Sequence, residues 1–293
     1  MIDHKPGKPL VSVVMNCYNG EAYLEESISS LMEQSYSNWE LIFYDNISSD
    51  KSIKIAKSFL DRRVHIHSSE VHLPLSKARK EAINLAKGVW LSFLDTDDLW
   101  MPDKLEKQIN EINKNLSEDK PIHLIFGSCE VFSNYSTRMK DNVLSGELFN
   151  ELLSGSYEVN WPTVMFTKEA YIELGGFSDK YELTYDYDFL LRISSKFDYS
   201  FLALNLARYR IHESNLSKIF FGQMLLELME IVSSYLPSKL ASERLLEFKF
   251  RYSLFLLRKL KFSEFIIYVK DLSFLGLFVY LFSKLKNLLK YGQ

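Results

Sequence analysis

Residues 10–120 alternate short apolar runs with amphipathic stretches, and this alternation restricts the fold more than any other feature of the sequence. The apolar runs are rich in β-branched and aromatic residues, which is typical of buried strands. They are LVSVVM (10–15), WELIFY (39–44), VHIH (64–67) and VWLSFL (89–94). The stretches between them carry apolar residues at helical spacing. Repeated strand–helix alternation predicts an α/β fold in which a mostly parallel sheet is flanked by helices.

The alternation loosens after residue 120, and helical patterns dominate the C-terminal part of the chain. Strand-like runs at 123–127 and 163–167 come first, and the later helical pattern is interrupted at Pro237. We therefore expect a first domain over residues 1–217 and an α-helical C-terminal extension over residues 218–293.

The cysteine count and the charge distribution restrict the compartment and the partners. Two cysteines, Cys17 and Cys129, predict neither a disulfide framework nor a cysteine-rich zinc site. The N-terminal MIDHKPGKPL lacks the apolar core of a secretory signal, so we expect a cytoplasmic protein. The net charge is −3, yet basic residues outnumber acidic ones within residues 239–293. This distribution does not fit a protein that binds nucleic acid.

The apolar and basic tail leaves two interpretations open. Residues 273–282, SFLGLFVYLF, are too short to span a bilayer, which needs about 20 apolar residues. One interpretation is peripheral contact with the inner face of the cytoplasmic membrane through residues 239–293. The other is a helix that packs on the rest of the protein or on a second subunit of a homo-oligomer.

Three carboxylates follow the strand at 89–94 directly, at Asp95, Asp97 and Asp98. Ligands of parallel α/β sheets bind outside the carboxyl ends of the strands, where Asn16 and Asp45 also follow predicted strands. A hard divalent cation bound to phosphate oxygens would remove the repulsion between the carboxylates. The alternative is helix capping ahead of Pro102, which would use Asp98 and at most one more of the three acids.

Several other polar residues have both a functional and a structural interpretation. Tyr18 could stack on a nucleobase or pack within its loop. Asp186 and Asp188 stand at the start of a predicted helix, where the helix dipole favours acids. His212 lies in a polar stretch after a strand-like run. The chain contains no P-loop, no nucleotide-binding GxGxxG and no GxSxG elbow.

Four segments, taken together, resemble the family 2 glycosyltransferases, which have the Rossmann-like glycosyltransferase A fold. They are VSVVMNCYNGEAYLEESISSLMEQSYSNWELIFYDNISSD, ARKEAINLAKGVWLSFLDTDDLWMPDKLEKQ, LGGF and TYDYDFLLR, in the order and spacing of that family. The resemblance covers residues 10–215. It implies a nucleotide-sugar donor, bound with Mn²⁺ or Mg²⁺, and inversion at the anomeric carbon.

The resemblance also implies roles for individual residues. Asp97 matches the metal ligand that reaches the diphosphate, and Asp95 matches a position near the ribose and the metal. Asp186 matches the catalytic base, and His212 matches a histidine that approaches the metal or the diphosphate in some members. The remaining matches are to nucleotide-binding positions: Asn16, Tyr18, Asp45, Asn46 and Arg79.

Two positions depart from the family pattern. Asn46 stands where the family usually has a second aspartate that accepts a hydrogen bond from a uracil-type N3–H, and an amide can donate as well as accept. Tyr185 replaces the glutamate that usually precedes the catalytic aspartate, which removes a charge beside Asp186. UDP- and dTDP-sugars remain the leading donors.

These observations predict an inverting, metal-dependent glycosyltransferase that acts on a hydroxyl of a glycan or a lipid-linked acceptor. Its role would be in cell-surface polysaccharide biosynthesis, such as that of lipopolysaccharide. A sugar-nucleotide pyrophosphorylase is one alternative, but it calls for a glycine-rich loop after the first strand, where only Gly20 is found. A catalytically inactive nucleotide-sugar-binding domain is the other.

Overall fold

The structure is a computed structural model that describes residues 7–133, 136–140, 144–261 and 264. The apolar run at 273–282 and the basic segment after it lie outside the described residues. Nine strands in the described part of the chain form a single sheet. In chain order they are β1 (Val11–Cys17), β2 (Trp39–Asp45), β3 (Val64–Ser68), β4 (Trp90–Phe93), β5 (Leu99–Trp100), β6 (Leu124–Phe132), β7 (Thr137–Lys140), β8 (Met165–Thr167) and β9 (Tyr199–Arg210).

The sheet combines a parallel part with antiparallel additions. Its order is β3-β2-β1-β4-β8-β6-β9-β5, with β7 paired to β6. The first four strands of this order are parallel, as are β6 and β9. Strands β5, β7 and β8 pair antiparallel to their neighbours. The predicted α/β sheet flanked by helices is confirmed, and the antiparallel strands come from short segments outside the regular alternation.

The helices cover the sheet through apolar faces that the sequence pattern predicts. The core contains Leu24, Ile28 and Leu31 from the helix Leu24–Met32, and Leu105 and Ile109 from the helix Lys104–Ser117, packed with the strands. The described helices are α1 (Leu24–Met32), α2 (Ser52–Ser58), α3 (Leu75–Leu85), α4 (Lys104–Ser117), α5 (Leu148–Ser154), α6 (Lys168–Glu173), α7 (Tyr185–Ser194), α8 (Leu216–Ile219), α9 (Phe221–Ser233) and α10 (Lys239–Arg258). None of them combines the length and the hydrophobicity needed to traverse a lipid bilayer.

Gly88 lies where the chain crosses closely over β1. A Cβ atom at this position would be 2.6 Å from the backbone nitrogen of Ser12 and 2.7 Å from the carbonyl oxygen of Leu10. The Gly88 amide donates a 2.7 Å hydrogen bond to Ser12 Oγ. Glycine is therefore required by the close approach of the two backbones, which brings β4 into register beside β1.

The described residues fall into two compact units. The first, within residues 1–145 and 158–212, contains all nine described strands and every candidate site residue. The second, within residues 146–157 and 213–293, contains α5, α8, α9 and α10. The division into domains at residue 217 stays a prediction.

The second unit is built around the pairing of α9 with α10. Phe221 at the start of α9 meets Phe255 near the end of α10, with ring centroids 6.0 Å apart. A Cβ atom on Gly222 would be 2.4 Å from the Phe255 ring, so glycine permits this close packing. The two helices are therefore antiparallel, with the start of one beside the end of the other.

Candidate active site

The carboxyl ends of β2, β1 and β4 lie side by side at one edge of the sheet. Cys17 is paired with Asp45 in the β1–β2 ladder, and Val14 is paired with Phe93 in the β1–β4 ladder. The three strands are parallel, so the polar loops after them leave from the same edge. The first group of candidate residues lies on the β1–β2 side of this edge, and the second group lies after β4.

Asn16 and Asp45 carry buried polar atoms that no other described residue satisfies. Both the amide nitrogen and the amide oxygen of Asn16 lack a hydrogen-bond partner, and so does Asp45 Oδ1. Asp45 Oδ2 accepts a 3.0 Å hydrogen bond from the Ser48 amide, which orients the carboxylate. Buried polar atoms are almost always paired in folded proteins, so these three atoms mark a place for a polar ligand.

Tyr18 extends from the loop after β1 and forms an aromatic pair with His72. Its side chain is 57% exposed, and its ring centroid is 4.4 Å from that of His72, with the ring planes tilted by 58°. His72 Nδ1 lies 3.2 Å from the carbonyl oxygen of Asn46. The two exposed rings offer a flat planar ligand a surface beside the unpaired atoms of Asn16 and Asp45.

Asn46 is engaged within the protein through both ends of its amide. Its Nδ2 donates a 2.7 Å hydrogen bond to the Leu73 carbonyl oxygen, and its Oδ1 accepts one of 2.9 Å from the Leu73 amide. These contacts hold the loop that carries His72. Asp45 Oδ1 is therefore better placed than the Asn46 amide to accept a hydrogen bond from a ligand.

The acidic loop, residues 95–98, is fixed by contacts from three directions. The Asp98 amide donates to the Asp95 carbonyl oxygen at 3.2 Å, which closes a turn. Ser27 Oγ on α1 donates to the same carbonyl at 2.8 Å. Arg210 Nε at the end of β9 donates to the Asp97 carbonyl oxygen at 2.9 Å. The loop therefore holds its carboxylates in place before any ligand binds.

Arg79 on α3 forms an ion pair with Asp95. Its guanidinium lies 5.5–5.6 Å from the ring centroids of Phe93, Trp161 and Tyr185. Burial by itself would lower the pKa of Arg79, but the neighbouring Asp95, Tyr185 and Asp186 more than offset it, and the pKa is held above its ordinary value. Arg79 is therefore a permanent buried cation at this edge of the sheet.

Asp97 meets His212 across the site. His212 Nε2 lies 2.8 Å from Asp97 Oδ2, and both side chains are partly exposed. Burial and the charge of Asp95 raise the pKa of Asp97, while the contact with His212 opposes this rise. The pairing brings together two residues that sequence analysis predicted as metal ligands.

This donor set fits a divalent cation. Asp97 supplies a carboxylate oxygen, which Mg²⁺ and Mn²⁺ prefer, and His212 supplies an imidazole nitrogen. Within the part of the chain that the structure describes, no cluster of three or more His, Cys, Asp or Glu side chains is poised to enclose an ion. An ion held by one or two protein side chains takes its remaining ligands from substrate phosphates and water. The added positive charge would also relieve the repulsion between Asp95 and Asp97.

Asp98 has a different role from its two neighbours. It is fully buried, and its Oδ1 accepts a 2.9 Å hydrogen bond from the Arg210 amide. Burial, followed by the charges of Asp97 and Asp95, raises its pKa well above the ordinary value. The capping interpretation fails for Asp98, because α4 begins at Lys104 and Asp98 bonds to β9 instead.

Arg210 is a site residue that the sequence did not single out. It is 8% exposed, and besides its two contacts with the acidic loop its Nη2 donates a 2.7 Å hydrogen bond to Glu26 Oε2 on α1. Its guanidinium stacks against Tyr23 and Phe132, 4.3 and 4.6 Å from their ring centroids. The position two residues before His212 was the only sequence signal for it.

Asp186 lies in the first turn of α7 and is partly buried. Its Oδ1 accepts a 2.8 Å hydrogen bond from the Tyr187 amide. Burial raises its pKa, and the charge of Asp95 adds to this rise, while the Tyr187 hydrogen bond and the charge of Arg79 oppose it. Residues 79, 95 and 186 are therefore close enough to influence one another electrically.

The contacts of Asp188 are structural. Its Oδ2 accepts hydrogen bonds from Arg192 Nε at 2.8 Å and Nη2 at 2.7 Å, one turn along α7. Arg192 also donates to the carbonyl oxygens of Leu174 and Gly176. This ion pair ties α7 to the turn after α6, so Asp188 has a structural role.

Sequence comparison identifies relatives of this chain. Residues 12–145 match the family described as Glycosyl transferase family 2. The chain is 31% identical over 219 residues to UDP-Glc:alpha-D-GlcNAc-diphosphoundecaprenol beta-1,3-glucosyltransferase WfgD of Escherichia coli. That alignment covers 73% of this chain and 82% of the relative.

Structural comparison finds the same fold in two solved structures. S. aureus TarS 1–349 in complex with UDP-GlcNAc superposes with a TM-score of 0.62 at 16% identity, covering 81% of this chain and 71% of the other. The mannosyltransferase PcManGT from Pyrobaculum calidifontis, in complex with GDP-Man and Mn²⁺, superposes with a TM-score of 0.59 at 16% identity. This second match covers 97% of this chain and 82% of the other. At these identities the likeness concerns the fold.

Proposed function

Because the chain belongs to glycosyltransferase family 2, we propose that it transfers a sugar from a nucleoside diphosphate donor to a hydroxyl group, with inversion at the anomeric carbon. The observation that carries this proposal is that Asp186 lies close enough to the Arg79–Asp95 ion pair for the charges of both residues to act on its pKa. A partly buried carboxylate with a raised pKa lies near the loop that the family uses for its donor. Such a group is suited to accept a proton at the reacting centre.

Asp186 is the general base of the proposed reaction. The acceptor hydroxyl oxygen attacks the anomeric carbon, and its proton passes to the Asp186 carboxylate. The bond from the anomeric carbon to the diphosphate oxygen breaks at the same time, and the electron pair leaves with the nucleoside diphosphate. A single displacement of this kind inverts the configuration and needs one base. A glycoside hydrolase would instead need two carboxylates that flank the glycosidic bond.

Asn16, Tyr18 and Asp45 form the proposed nucleoside pocket. The unpaired amide of Asn16 and the free oxygen of Asp45 supply a donor and acceptors for the base, and Tyr18 supplies a ring surface. Asn46 holds the neighbouring loop. UDP- or dTDP-sugars suit this set because uracil and thymine present an N3–H donor between two carbonyl acceptors. The relative named for UDP-Glc and the TarS complex with UDP-GlcNAc support this choice.

The proposed diphosphate end of the site consists of Arg79, Asp95, Asp97 and His212. Asp95, fixed by Arg79, would contact the ribose side of the donor, and Asp97 with His212 would hold Mn²⁺ or Mg²⁺. When bound, the ion supplies Lewis-acid stabilisation of the departing diphosphate. The Mn²⁺ in the PcManGT complex supports this assignment.

The acceptor class follows from the relative rather than from the site. The Escherichia coli relative is named for an acceptor in which GlcNAc is linked through a diphosphate to undecaprenol. We propose a lipid-linked glycan acceptor for this chain, and a place in cell-surface polysaccharide biosynthesis at the cytoplasmic face of a membrane.

A thermal-shift screen of nucleoside diphosphates, with and without Mn²⁺, tests the donor and the metal together. We expect UDP or dTDP with Mn²⁺ to raise the melting temperature of the wild-type protein more than GDP or ADP does. We expect His212→Asn to remove most of the Mn²⁺ increment. A shift that is equal for all bases, or independent of Mn²⁺, would contradict the proposed pocket.

A further inference from the structure

The start of α9, with α8 just before it, lies beside the end of α10, and the exposed apolar side chains at this end of the helix pair are here called the hairpin tip. The cluster is coherent because Phe221 and Phe255 join the start of α9 to the end of α10, and Arg251 on α10 lies 5.6 Å from the Phe221 ring. Leu260 is 73% exposed and Ile219 is 57% exposed. The apolar members of the hairpin tip are Leu216, Ile219, Phe220, Leu254, Leu257 and Leu260.

The hairpin tip is also rich in basic side chains. Four exposed lysine or arginine residues lie among its apolar members: Lys218, Arg258, Lys259 and Lys261. Lys218 contacts Glu213 at 3.0 Å, and Lys261 contacts Glu264 at 3.1 Å. Exposed ion pairs of this kind are weak and are readily exchanged for other anions.

The chain continues from the hairpin tip with a sequence of the same character. Residues 265–293 include the apolar SFLGLFVYLF and the basic KLKNLLK. Apolar side chains surrounded by Lys and Arg are the composition of surfaces that bind anionic lipid, where leucines enter the interface and cations meet the headgroups. The composition of residues 265–293 therefore favours the same kind of partner, an anionic lipid surface, as the composition of the hairpin tip.

Charge favours a lipid surface over a second copy of the chain. A symmetric contact between two copies would place the same patch against itself and bring like charges together. An anionic headgroup layer is complementary to the four cations of the hairpin tip. Burial of exposed leucine side chains adds to the attraction.

We propose that the hairpin tip is a docking site for an anionic lipid surface. This inference deepens the proposed function, on which it rests, because it names the partner that would bring the enzyme to a lipid-linked acceptor. It assigns the contact to helices of the described second unit.

The test is sedimentation of the full-length protein with vesicles. Vesicles of phosphatidylcholine mixed with phosphatidylglycerol are compared with vesicles of phosphatidylcholine alone, at low and high salt. Two variants probe the hairpin tip: Leu257→Ser with Leu260→Ser, and Lys259→Glu with Lys261→Glu. The matched controls are Leu60→Ser, at a leucine that is 96% exposed in the first unit, and Lys120→Glu.

We expect the wild-type protein and both controls to bind the anionic vesicles, and the binding to weaken as salt rises. The charge-reversal variant removes two cations, so it should bind the anionic vesicles at least about thirtyfold more weakly than the wild type. The leucine variant should also lose binding, while UDP binding stays unchanged in all four variants.

Unchanged vesicle binding by both hairpin-tip variants would overturn the inference. So would a wild-type protein that ignores anionic vesicles but self-associates through the tip, because the occupant would then be a second copy. If one variant fails to fold, the other decides the question. UDP binding and sugar transfer to a water-soluble acceptor are read separately, so failure of the proposed function and failure of lipid docking are distinguishable.

Discussion

His212 Nε2 lies 2.8 Å from Asp97 Oδ2, although 115 residues separate them in the sequence. Asp97 leaves the end of β4, and His212 follows β9, which runs along β6 and pairs with β5 just after the acidic loop. The pairing joins the first half of the sheet to the last strand. A metal site at this place therefore depends on the whole sheet and not on the acidic loop alone.

We expect His212→Asn to weaken the Mn²⁺ dependence of nucleotide binding by about tenfold or more, since changes around metal ligands typically cost 10–100-fold in affinity. The measurement is the Mn²⁺ concentration that gives half of the UDP-dependent thermal shift. His123→Asn is the matched control, because His123 hydrogen-bonds to Thr167 outside the site. Equal Mn²⁺ dependence in the two variants would remove His212 from the metal site.

We expect Asp186→Asn to reduce kcat by about 10²–10⁴-fold and to leave UDP binding close to that of the wild type, because an amide cannot accept the acceptor proton. Asp188→Asn changes the other acid in the first turn of α7, which is paired with Arg192, and should keep most of the turnover. Kinetics of sugar transfer measure both. Loss of activity in Asp188→Asn with full activity in Asp186→Asn would reverse the assignment.

The raised pKa of Asp186 predicts opposite effects of pH on activity and on stability. The base must be ionised, so kcat/KM should rise with pH through the folded-state pKa. The folded protein binds this proton more tightly than the unfolded chain does, so the stabilising contribution is full below the unfolded pKa of about 3.9 and is lost as pH rises through the raised value. Asp186→Asn should therefore melt higher than the wild type at neutral pH, and the gap should close in acid. A gap that widens in acid would contradict the raised pKa of Asp186.

We expect Arg210→Lys to raise the KM for the donor by about tenfold with a smaller effect on kcat. A lysine cannot reproduce the separate hydrogen bonds of Arg210 Nε to Asp97 and Nη2 to Glu26. Arg210 is a positioning residue in this scheme, since it acts through the acidic loop. Arg208→Lys, on the same strand and paired with Glu130, is the control. Equal KM values for the two variants would mean that Arg210 only supports the fold.

We expect Asp45→Asn to weaken UDP binding by about tenfold or more, because a hydrogen bond to a charged group contributes about 1.5–3 kcal/mol. Asp45 Oδ1 is a buried acceptor without a partner among the described residues, and uracil offers an N–H donor to it. Binding of ADP, whose adenine ring has no matching N–H, should change much less. Isothermal titration with both nucleotides measures the difference, and an equal loss for UDP and ADP would place Asp45 away from the base.

The strand–helix order and the acidic loop after β4 could be predicted from the sequence, because each depends on residues that are neighbours along the chain. A run of β-branched residues such as VSVVM predicts a buried strand. The loop after a parallel strand lies at the edge of the sheet where ligands bind. The four strands from β1 to β4 lie within one or two residues of the predicted runs. The family motifs are short stretches of sequence, so the resemblance identified the same candidate site residues.

The different roles of the carboxylates in the acidic loop were decided by tertiary structure. Nothing local distinguishes Asp97 from Asp98, yet one meets His212 and the other is buried against the Arg210 backbone. In the same way, Asn46 carries a nucleotide-binding position in the family pattern, but the Leu73 backbone occupies its amide.

The physical reason is that hydrophobic patterning is set by neighbours along the chain, whereas the partner of a polar side chain is set by strand order. The sequence by itself determined a sheet covered by helices, with carboxylates at one edge. Only the packing of α3 and β9 around that edge decided which carboxylate pairs with Arg79, which meets His212 and which is buried against Arg210. The sequence pattern does not show these contacts, because Arg79 lies on a separate helix and the two contacts with β9 and the residues after it join positions more than a hundred residues apart.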